Sequence, residues 1–341
     1  MNHINPSSSP SSFYGCCIRT LDNILVIGAR CGSPYEPVGP GFVEIYQDGV
    51  LTQTIHGTQH GERFGVAIEI NEQYLCIGAY RQGTRALNGG SVYIYTKHDN
   101  QYVFNHLVYA EDKSEKDYFG YNISLHNNML AIGAYAKNII GGEDGKVYLY
   151  NLTQKKFIDS YFGSNPVKNE NFGRFVHLDN DKLYISAHKS NRVYVYADNE
   201  LSNRIYAPDD AKGFGNSIYT FQDYVVIGAY STDNVGAVYI YKNYKLIKTL
   251  KGTTHNGYFG GSIAGYNNDI IIGCYRANKN ENGSIFLYNF ISEELIEHIN
   301  PEPSKKHWFG YSVHIDKNNL YIGAVQYDNV GRLYKLERKV T

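Results

Sequence analysis

The sequence has little of several features that would point to a function. Its 341 residues carry 32 basic and 33 acidic side chains, a net charge of −1, so the cationic surface of a nucleic-acid-binding protein is not expected. No hydrophobic run approaches the length of a membrane-spanning helix. The first twelve residues lack the basic and apolar stretches of a signal peptide. We therefore expect an intracellular, cytoplasmic protein without membrane insertion.

Cysteine is also scarce, with five residues and no Cys-x-x-Cys pair, which argues against a zinc site of that kind. Cys76 and Cys274 stand in apolar runs typical of a protein core. The expected state is therefore buried thiols in a reducing compartment.

Tyrosine and glycine, by contrast, are abundant, with 33 and 34 residues, as suits short strands and tight turns. An aromatic residue followed by glycine recurs at intervals of about 50 residues, a spacing typical of repeat folds. The aromatic residues of these seven steps are Tyr14, Phe64, Phe119, Phe172, Phe214, Phe259 and Phe309. Each step marks the approximate start of one repeat.

Every repeat continues with short apolar runs bounded by Gly, Asn or Asp, which is the pattern of β-strands. The second run ends in Ile-Gly-Ala or a close variant, and the third ends on Tyr in six copies. Four strands in each of seven repeats predict an all-β, seven-bladed β-propeller with four-stranded antiparallel blades. We expect residues 1–341 to form this single domain.

The last repeat stops after its third strand, and the N-terminus resembles the missing fourth. His3-Ile4-Asn5-Pro6 repeats His298-Ile299-Asn300-Pro301, which ends the fourth strand of the sixth blade. We therefore predict that residues 1–6 close the last blade by pairing beside Leu333–Leu336. Such closure removes an open sheet edge.

The repeat resembles the FG-GAP repeat of integrin α heads and many microbial propellers. The resemblance rests on Phe-Gly-Tyr-Ser-Val at 309–313, Leu-Tyr-Ile-Gly-Ala at 320–324 and Val-Tyr-Ile-Tyr at 238–241. It implies the propeller fold but no particular function. The Asp-x-Asp-x-Asp-Gly calcium loop of several integrin blades is missing, and Asp179 with Asp181 comes nearest to it. No metal or cofactor is expected.

Alternating strand direction places the two longer connections of each blade at one end, where binding usually resides. Aromatic, arginine and histidine residues recur there, and Tyr, Trp and Arg are common binding anchors. The candidate binding residues are Tyr80, Arg81, Tyr135, His188, Tyr230, Tyr275, Arg276 and Trp308. Tyr118 and Tyr258 are neighbours in the same loops. The alternative is that the repeated tyrosines only pack between blades.

Three functions fit these patterns. The first is a non-catalytic protein–protein interaction or structural module, and the second a lectin-like, carbohydrate-binding propeller. The third is an enzyme with polar residues on the innermost strands, namely Arg19, Glu69, Ser124, His177, Tyr219 and His314. Because no catalytic constellation recurs, a non-enzymatic protein-binding role is preferred. Residue usage resembles that of large DNA viruses of protists, which suggests a structural, virion or host-interaction role.

Overall fold

The computed structural model describes residues 2–7, 13–31, 39–83, 86–139, 142, 144–163, 169–278, 280–301 and 307–339. The fold is an all-β propeller of seven four-stranded antiparallel blades, as the repeat count predicts. By internal contacts the chain divides into two compact units, Met1–Ile18 with Tyr206–Thr341, and Arg19–Ile205. No described helix is long and apolar enough to cross a membrane.

The first four blades lie in Arg19–Ile205, apart from the beginning of their first strand and the final residue of their last. Their strands are, in chain order, β2 (Tyr14–Leu21), β3 (Ile24–Ala29), β4 (Phe42–Gln47) and β5 (Val50–His56); β6 (Ala67–Ile70), β7 (Tyr74–Ala79), β8 (Ser91–His98) and β9 (Gln101–Val108); β10 (Ile123–His126), β11 (Met129–Ala134), β12 (Lys146–Asn151) and β13 (Lys156–Tyr161); β14 (Phe172–Asp179), β15 (Lys182–Ala187), β16 (Arg192–Ala197) and β17 (Glu200–Tyr206). A 3₁₀ turn, His188–Ser190, follows β15.

The other unit holds the last three blades and the N-terminal strand. Its strands are β1 (Asn2–Ile4); β18 (Phe214–Phe221), β19 (Tyr224–Ala229), β20 (Ala237–Lys242) and β21 (Lys245–Lys251); β22 (Ser262–Tyr266), β23 (Asp269–Cys274), β24 (Ser284–Asn289) and β25 (Glu294–Ile299); β26 (Phe309–Ile315), β27 (Asn319–Ala324) and β28 (Arg332–Glu337). Two further 3₁₀ turns are Thr232–Asn234 and Tyr327–Asn329.

The N-terminal strand closes the last blade, as the sequence repeat predicts. β1 pairs antiparallel with β28, placing His3 opposite Tyr334 and Ile4 opposite Leu333. The sixth blade uses the same register, with His298 opposite Phe286 on its third strand. The Asn5 side chain adds a 2.8 Å hydrogen bond from the Arg332 Nε atom. The repeated His-Ile-Asn therefore marks the same structural position in both blades.

Adjacent blades touch through two glycines. A Cβ atom placed on Gly133, at the end of β11, would lie 2.1 Å from the carbonyl oxygen of Gly173 in the next aromatic–Gly step. Gly273 stands in the same relation to Gly310 in the other unit. Because any side chain would collide with backbone here, Ile-Gly-Ala and aromatic–Gly recur together. In the fourth blade the position is Ser186, whose Oγ atom accepts a hydrogen bond from Phe175 N.

The aromatic residue of each step is buried, and each of the six phenylalanines packs against an aromatic ring on the third strand of its own blade. Phe119 meets Tyr148 with ring centroids 5.3 Å apart, and Phe309 meets Tyr334 at 5.2 Å, both edge to face. Phe119 is fully buried in a core formed by the second and third blades together. The core of the molecule thus lies between blades, and the step sets their spacing.

The predicted blade starts match the strand starts in four blades and precede them in three. β6, β10 and β22 begin three or four residues after the aromatic residue, at Ala67, Ile123 and Ser262. Phe119 and Phe259 form single bridges to Gly90 and Gly236 of the preceding blade. Tyr14 and Phe309, which begin their strands, form the same kind of bridge to Gly331 and Gly283. There the step belongs as much to the contact between blades as to the strand. Whether residues 1–341 fold as one domain stays a prediction.

Candidate functional site

The longer connections of each unit carry most of its aromatic and arginine loop residues. They follow the second strand of each blade or lead into the next aromatic–Gly step, and we call this end of the blades the long-loop end. Two groups of side chains lie there, one in each unit. The predicted binding residues divide between them, four and four.

In Arg19–Ile205 the group, which we call the arginine–tyrosine cluster, consists of Tyr80, Arg81, Tyr118, Tyr121, Tyr135, Arg174 and His188. Tyr80 contacts Tyr118 and Tyr121 with centroids 5.5 and 5.2 Å apart. Tyr135 contacts the same two rings at 5.5 and 4.7 Å.

Arginines cover the edges of this cluster. The Arg174 guanidinium lies 5.4 Å from the Tyr121 ring centre and 5.3 Å from that of Tyr135. Arg81 lies 5.7 Å from the ring of Tyr80. These are distances at which a cation is attracted to an aromatic face. The cluster therefore presents guanidinium groups that already pack against tyrosine rings.

In the other unit the group, which we call the tryptophan cluster, consists of Tyr230, Tyr258, Tyr275, Arg276, Trp308 and Tyr311. Tyr230 and Tyr258 are stacked, with centroids 5.2 Å apart and planes 10° apart. Tyr275 contacts Tyr258 at 5.1 Å and Trp308 at 5.6 Å. Trp308 is the only tryptophan of the chain.

Arg276 joins the two sides of the tryptophan cluster. Its guanidinium lies 5.1 Å from the Tyr258 ring centre and 5.5 Å from that of Trp308. Glu281 contacts both Arg276 and Trp308. Its carboxylate accepts a 3.1 Å hydrogen bond from Trp308 Nε1 and lies 3.6 Å from Arg276 Nε. This arrangement fixes the arginine and the tryptophan side by side.

The residue before the aromatic–Gly step has a left-handed backbone in every blade. It is Gly213 with φ of +75° in one blade and Asn171 with φ of +54° in another. In four blades it is aromatic, with φ of +50° at Phe13, +57° at Tyr118, +62° at Tyr258 and +54° at Trp308. Glycine and asparagine adopt this conformation readily, whereas bulky residues lose about 1–2 kcal/mol. The backbone alone therefore does not explain the aromatic choices.

Burial decides the protonation of several cluster residues. It raises the pKa of the Tyr135 and Tyr275 hydroxyls well above the ordinary 10, so both are neutral hydrogen-bonding groups at physiological pH. Burial, helped by Arg174 and Lys189, lowers the pKa of His188 from 6.5 to about 4. His188 is therefore neutral near pH 7 and adds no positive charge.

The polar residues on the innermost strands form local contacts. Arg19 makes a 2.8 Å ion pair with Glu69, and Ser124 Oγ accepts a hydrogen bond from Leu178 N. Burial lowers the pKa of His177 to about 4. In the other unit, Tyr219 donates to the Asn267 carbonyl and His314 packs on Tyr321. Within the described residues, no three His, Cys, Asp or Glu side chains could hold a metal ion; Cys76 and Cys274 are buried free thiols, as expected.

Sequence reasoning missed three members of the two clusters, namely Tyr121, Arg174 and Tyr311, and also Glu281, which contacts Arg276 and Trp308. A signal existed for two of them, because only the third and seventh blades read Phe-Gly-Tyr. Arg174 follows the aromatic–Gly step in β14, at a position where the residue type differs from blade to blade, and Glu281 stands in a loop. Only the fold brings these two residues to the clusters. The structure places all eight predicted residues in clusters; their role in binding stays a prediction.

Comparisons with known proteins agree with this fold. Residues 106–150 match the model of the FG-GAP repeat. No curated protein matches the chain. Among solved structures, the chain is similar to virginiamycin B lyase from Staphylococcus aureus, with a TM-score of 0.74, 13% identity and 99% of each chain covered. Because 860 solved chains match, the likeness identifies a common fold and not an activity.

Proposed function

We propose that this FG-GAP-bearing propeller is a non-catalytic binding module that recognises a protein partner through the long-loop end of its blades. The arginine–tyrosine and tryptophan clusters are the contact surfaces in the two units. Both combine large, rigid aromatic rings with arginine, the residue types that dominate the energetics of protein interfaces. The near-neutral chain lacks the basic surplus that nucleic-acid binding requires.

The observation that carries this proposal is the left-handed position before the aromatic–Gly step. Blades with Gly213 and Asn171 fold with residues that suit this backbone, so the fold does not require an aromatic ring there. Tyr118, Tyr258 and Trp308 accept strain of about 1–2 kcal/mol each. Strained backbone retained at a loop points to function more than to stability.

The first experiment separates recognition from packing. We expect Tyr258→Asn and Trp308→Asn to change the free energy of unfolding by less than about 1.5 kcal/mol, because relief of backbone strain offsets the lost aromatic contacts. Chemical denaturation followed by circular dichroism measures this. A loss above about 3 kcal/mol would assign both rings to packing and remove the argument.

The second experiment tests binding itself. Tagged protein captures its partner from the source cells, and capture is repeated with Tyr258→Ala and Trp308→Ala. Tyr244→Ala is the matched control, because Tyr244 also has a left-handed backbone (φ of +60°) but lies in the turn between β20 and β21. We expect both cluster variants to lose the partner and the control to keep it. Retention by all three would place the contact elsewhere.

Trp308 supplies an independent readout once a partner is purified. Because it is the sole tryptophan, its emission reports on the tryptophan cluster alone when the partner contains none. Burial of the ring by a partner should shift its emission to shorter wavelength, and Tyr244→Ala should leave the shift intact. An unchanged spectrum on binding would exclude this cluster as the contact.

We propose an intracellular location and, from the residue usage, a structural or host-interaction role in a large DNA virus. The viral role is proposed from amino-acid composition, and the presence of the protein in virions tests it. Mass spectrometry of purified virions should detect the protein at a level comparable with known virion components. Recovery only from the soluble fraction of infected cells would restrict the role to the cell.

A further inference from the structure

Arginine stands at two repeat positions of the first and second blades that the other blades fill with other residue types. The residue after the Ile-Gly-Ala ending is Arg30 in the first blade, and tyrosine, histidine or valine in the other six. The residue before the aromatic–Gly step is Arg63 in the second blade, and phenylalanine, tyrosine, asparagine, glycine or tryptophan in the others. The fold therefore does not require arginine at either position.

Backbone contacts bring these two arginines together with Arg81 at the long-loop end of their blades. The Arg63 Nη1 atom donates a 2.5 Å hydrogen bond to the carbonyl oxygen of Cys31, the residue after Arg30. The backbone N–H of Arg81 donates a 3.1 Å hydrogen bond to the carbonyl oxygen of Glu62, the residue before Arg63. We call Arg30, Arg63 and Arg81 the arginine triad.

The arginine triad concentrates like charge around a buried guanidinium. Arg63 is only 4% exposed, and burial lowers its pKa. The positive charges of Arg30 and Arg81 lower it further, whereas Tyr80 and Cys31 act in the opposite direction. The Cys31 thiol adds no negative charge, because burial raises its pKa. Guanidiniums that repel one another in this way are typical of a site that an anion completes.

The carboxylate next to the triad in the sequence is used elsewhere. Glu62 is buried, and its carboxylate accepts hydrogen bonds from the Tyr93 hydroxyl at 2.9 Å and from Thr58 N at 2.5 Å. Arg81 forms no ion pair with any described residue, and none of them accepts a hydrogen bond from its Nε atom. Its guanidinium lies 5.7 Å from the Tyr80 ring centre. Arg81 thus retains hydrogen-bonding capacity for a ligand.

The backbone of Arg63 also favours a functional role. Its φ of +64° is left-handed, a conformation that long side chains adopt at a cost in free energy. Gly213 and Asn171 hold the same position in other blades with residues that suit it. Strain retained under a buried charge points to binding more than to stability.

The charge and shape of the arginine triad indicate which anion it suits. A guanidinium binds two oxygens of a carboxylate or phosphate at once. A carboxylate or a phosphodiester carries one negative charge. A phosphomonoester carries about 1.5 to 2 negative charges at pH 7 and has three acceptor oxygens. Three converging guanidiniums therefore match a phosphomonoester best.

We propose that the arginine triad binds the phosphate group of a phosphorylated side chain on the protein partner. This inference rests on the proposed partner binding by the long-loop end and deepens it, because it names the group that is recognised. Arg63 and Arg81 donate hydrogen bonds to the phosphate oxygens, and Arg30 adds positive charge. Since Arg81 belongs also to the arginine–tyrosine cluster, the tyrosines of that cluster contact the neighbouring residues of the partner.

The first test measures phosphate binding without the partner. In ¹⁵N-labelled protein the Nε–Hε resonance of Arg81 reports on the triad, and Arg81→Lys identifies it by its disappearance. We expect phenyl phosphate to shift this resonance with a Kd of about 1 mM or tighter. The affinity should fall from about pH 7.5 to about pH 5, as the phosphate loses its second charge. Benzenesulfonate, with the same ring and one charge, should bind at least about tenfold more weakly. No shift, or equal affinity for both compounds, would overturn the proposal.

Matched variants locate the binding by calorimetry. Arg81→Gln should weaken the affinity for phenyl phosphate at least about tenfold, since it removes a hydrogen bond between charged groups. Arg81→Lys keeps the charge but loses the planar fork, and should still weaken it several-fold. Arg204→Gln is the control, because Arg204 lies 5.8 Å from the Tyr194 ring centre, much as Arg81 lies from Tyr80. Circular dichroism verifies that each variant is folded. Equal loss in Arg81→Gln and Arg204→Gln would reduce the effect to net charge and refute the site.

A second arm identifies the source of the phosphate. Peptide libraries containing phosphoserine, phosphothreonine or phosphotyrosine are compared with their unphosphorylated twins. We expect the protein to prefer phosphorylated peptides and Arg81→Gln to lose this preference. Binding of phenyl phosphate without any peptide preference would assign the triad to free phosphate compounds and overturn the protein source. If Tyr258→Ala and Trp308→Ala lose the partner but phosphatase treatment of that partner changes nothing, the proposed function stands and this inference fails.

Discussion

The glycine that ends the second strand of a blade should be among the least replaceable residues of the chain. In Gly133→Ala the new Cβ atom would lie 2.1 Å from the Gly173 carbonyl oxygen, so the backbone of one blade must move by about 1 Å to restore an ordinary contact. That movement disturbs the bonds from Gly133 N to Asn122 O and from Gly120 N to Gly133 O, both 3.0 Å.

The size of the effect follows from these contacts. Overpacking costs about 1–3 kcal/mol, and two weakened hydrogen bonds add about 1 kcal/mol each. The sum is a loss of about 3–5 kcal/mol. Unfolding entropy of about 2.1 cal/mol/K per residue corresponds to about 0.7 kcal/mol/K for 341 residues that unfold together. The melting temperature should therefore fall by about 4–7 °C.

The matched control is Gly83→Ala. A Cβ atom at Gly83 finds its nearest neighbours 4.0 Å away, and its backbone is not left-handed. The added methyl group should leave stability unchanged or raise it by about 0.4–1 kcal/mol. Scanning calorimetry of the two variants measures the difference. If both melt within 1 °C or so of the parent, which is about 1 kcal/mol, close glycine contact does not set the spacing of the blades.

Three further perturbations test other parts of the structure. Deletion of residues 2–5 should expose the edge of β28 and cause association detectable by sedimentation velocity, whereas a monomer of unchanged stability would show that β1 is dispensable. Asp269→Ala should lower the free energy of unfolding by about 3–5 kcal/mol, because it leaves the buried Arg338 guanidinium without the carboxylate that pairs with it at 2.5 Å. Adding Arg338→Met should recover part of this loss, and no recovery would contradict a charge effect. Burial depresses the pKa of His177 from 6.5 to about 4, so as the pH falls the unfolded chain binds a proton at this residue before the folded protein does. The free energy of unfolding should therefore decline between pH 6.5 and 4, by about 3 kcal/mol at most. An equally steep decline in His177→Asn would refute the assignment.

Most of the fold could be predicted from the sequence because its determinants are local and repeated. The aromatic–Gly step, the Ile-Gly-Ala ending and the third-strand tyrosine each recur at one position of every blade or nearly so, and the contacts explain why. Even closure could be predicted, since His3-Ile4 repeats His298-Ile299 and occupies the same register. The strand starts were predicted less well in the second, third and sixth blades, where the first strand begins three or four residues after the aromatic residue.

The candidate site was harder to predict because its partners lie far apart in sequence and do not repeat. Tyr80 and Tyr135 could be selected as loop aromatics, but Arg174, which covers the Tyr135 ring, is supplied by the next blade. The left-handed backbone at Tyr258 could not be foreseen, since an aromatic residue is a poor indicator of that conformation.

The pairing of β1 with β28 also bears on how the protein is made. On the ribosome the segment that forms the outer edge of the seventh sheet emerges before the other propeller strands, and the three strands it must join, β26 to β28, emerge after the first six blades. While the first six blades are made, therefore, residues 2–4 have no partner to pair with. The final sheet is the one blade that cannot assemble in the order of translation, so its completion is the step at which a chaperone or a rival strand from a neighbouring chain could intervene.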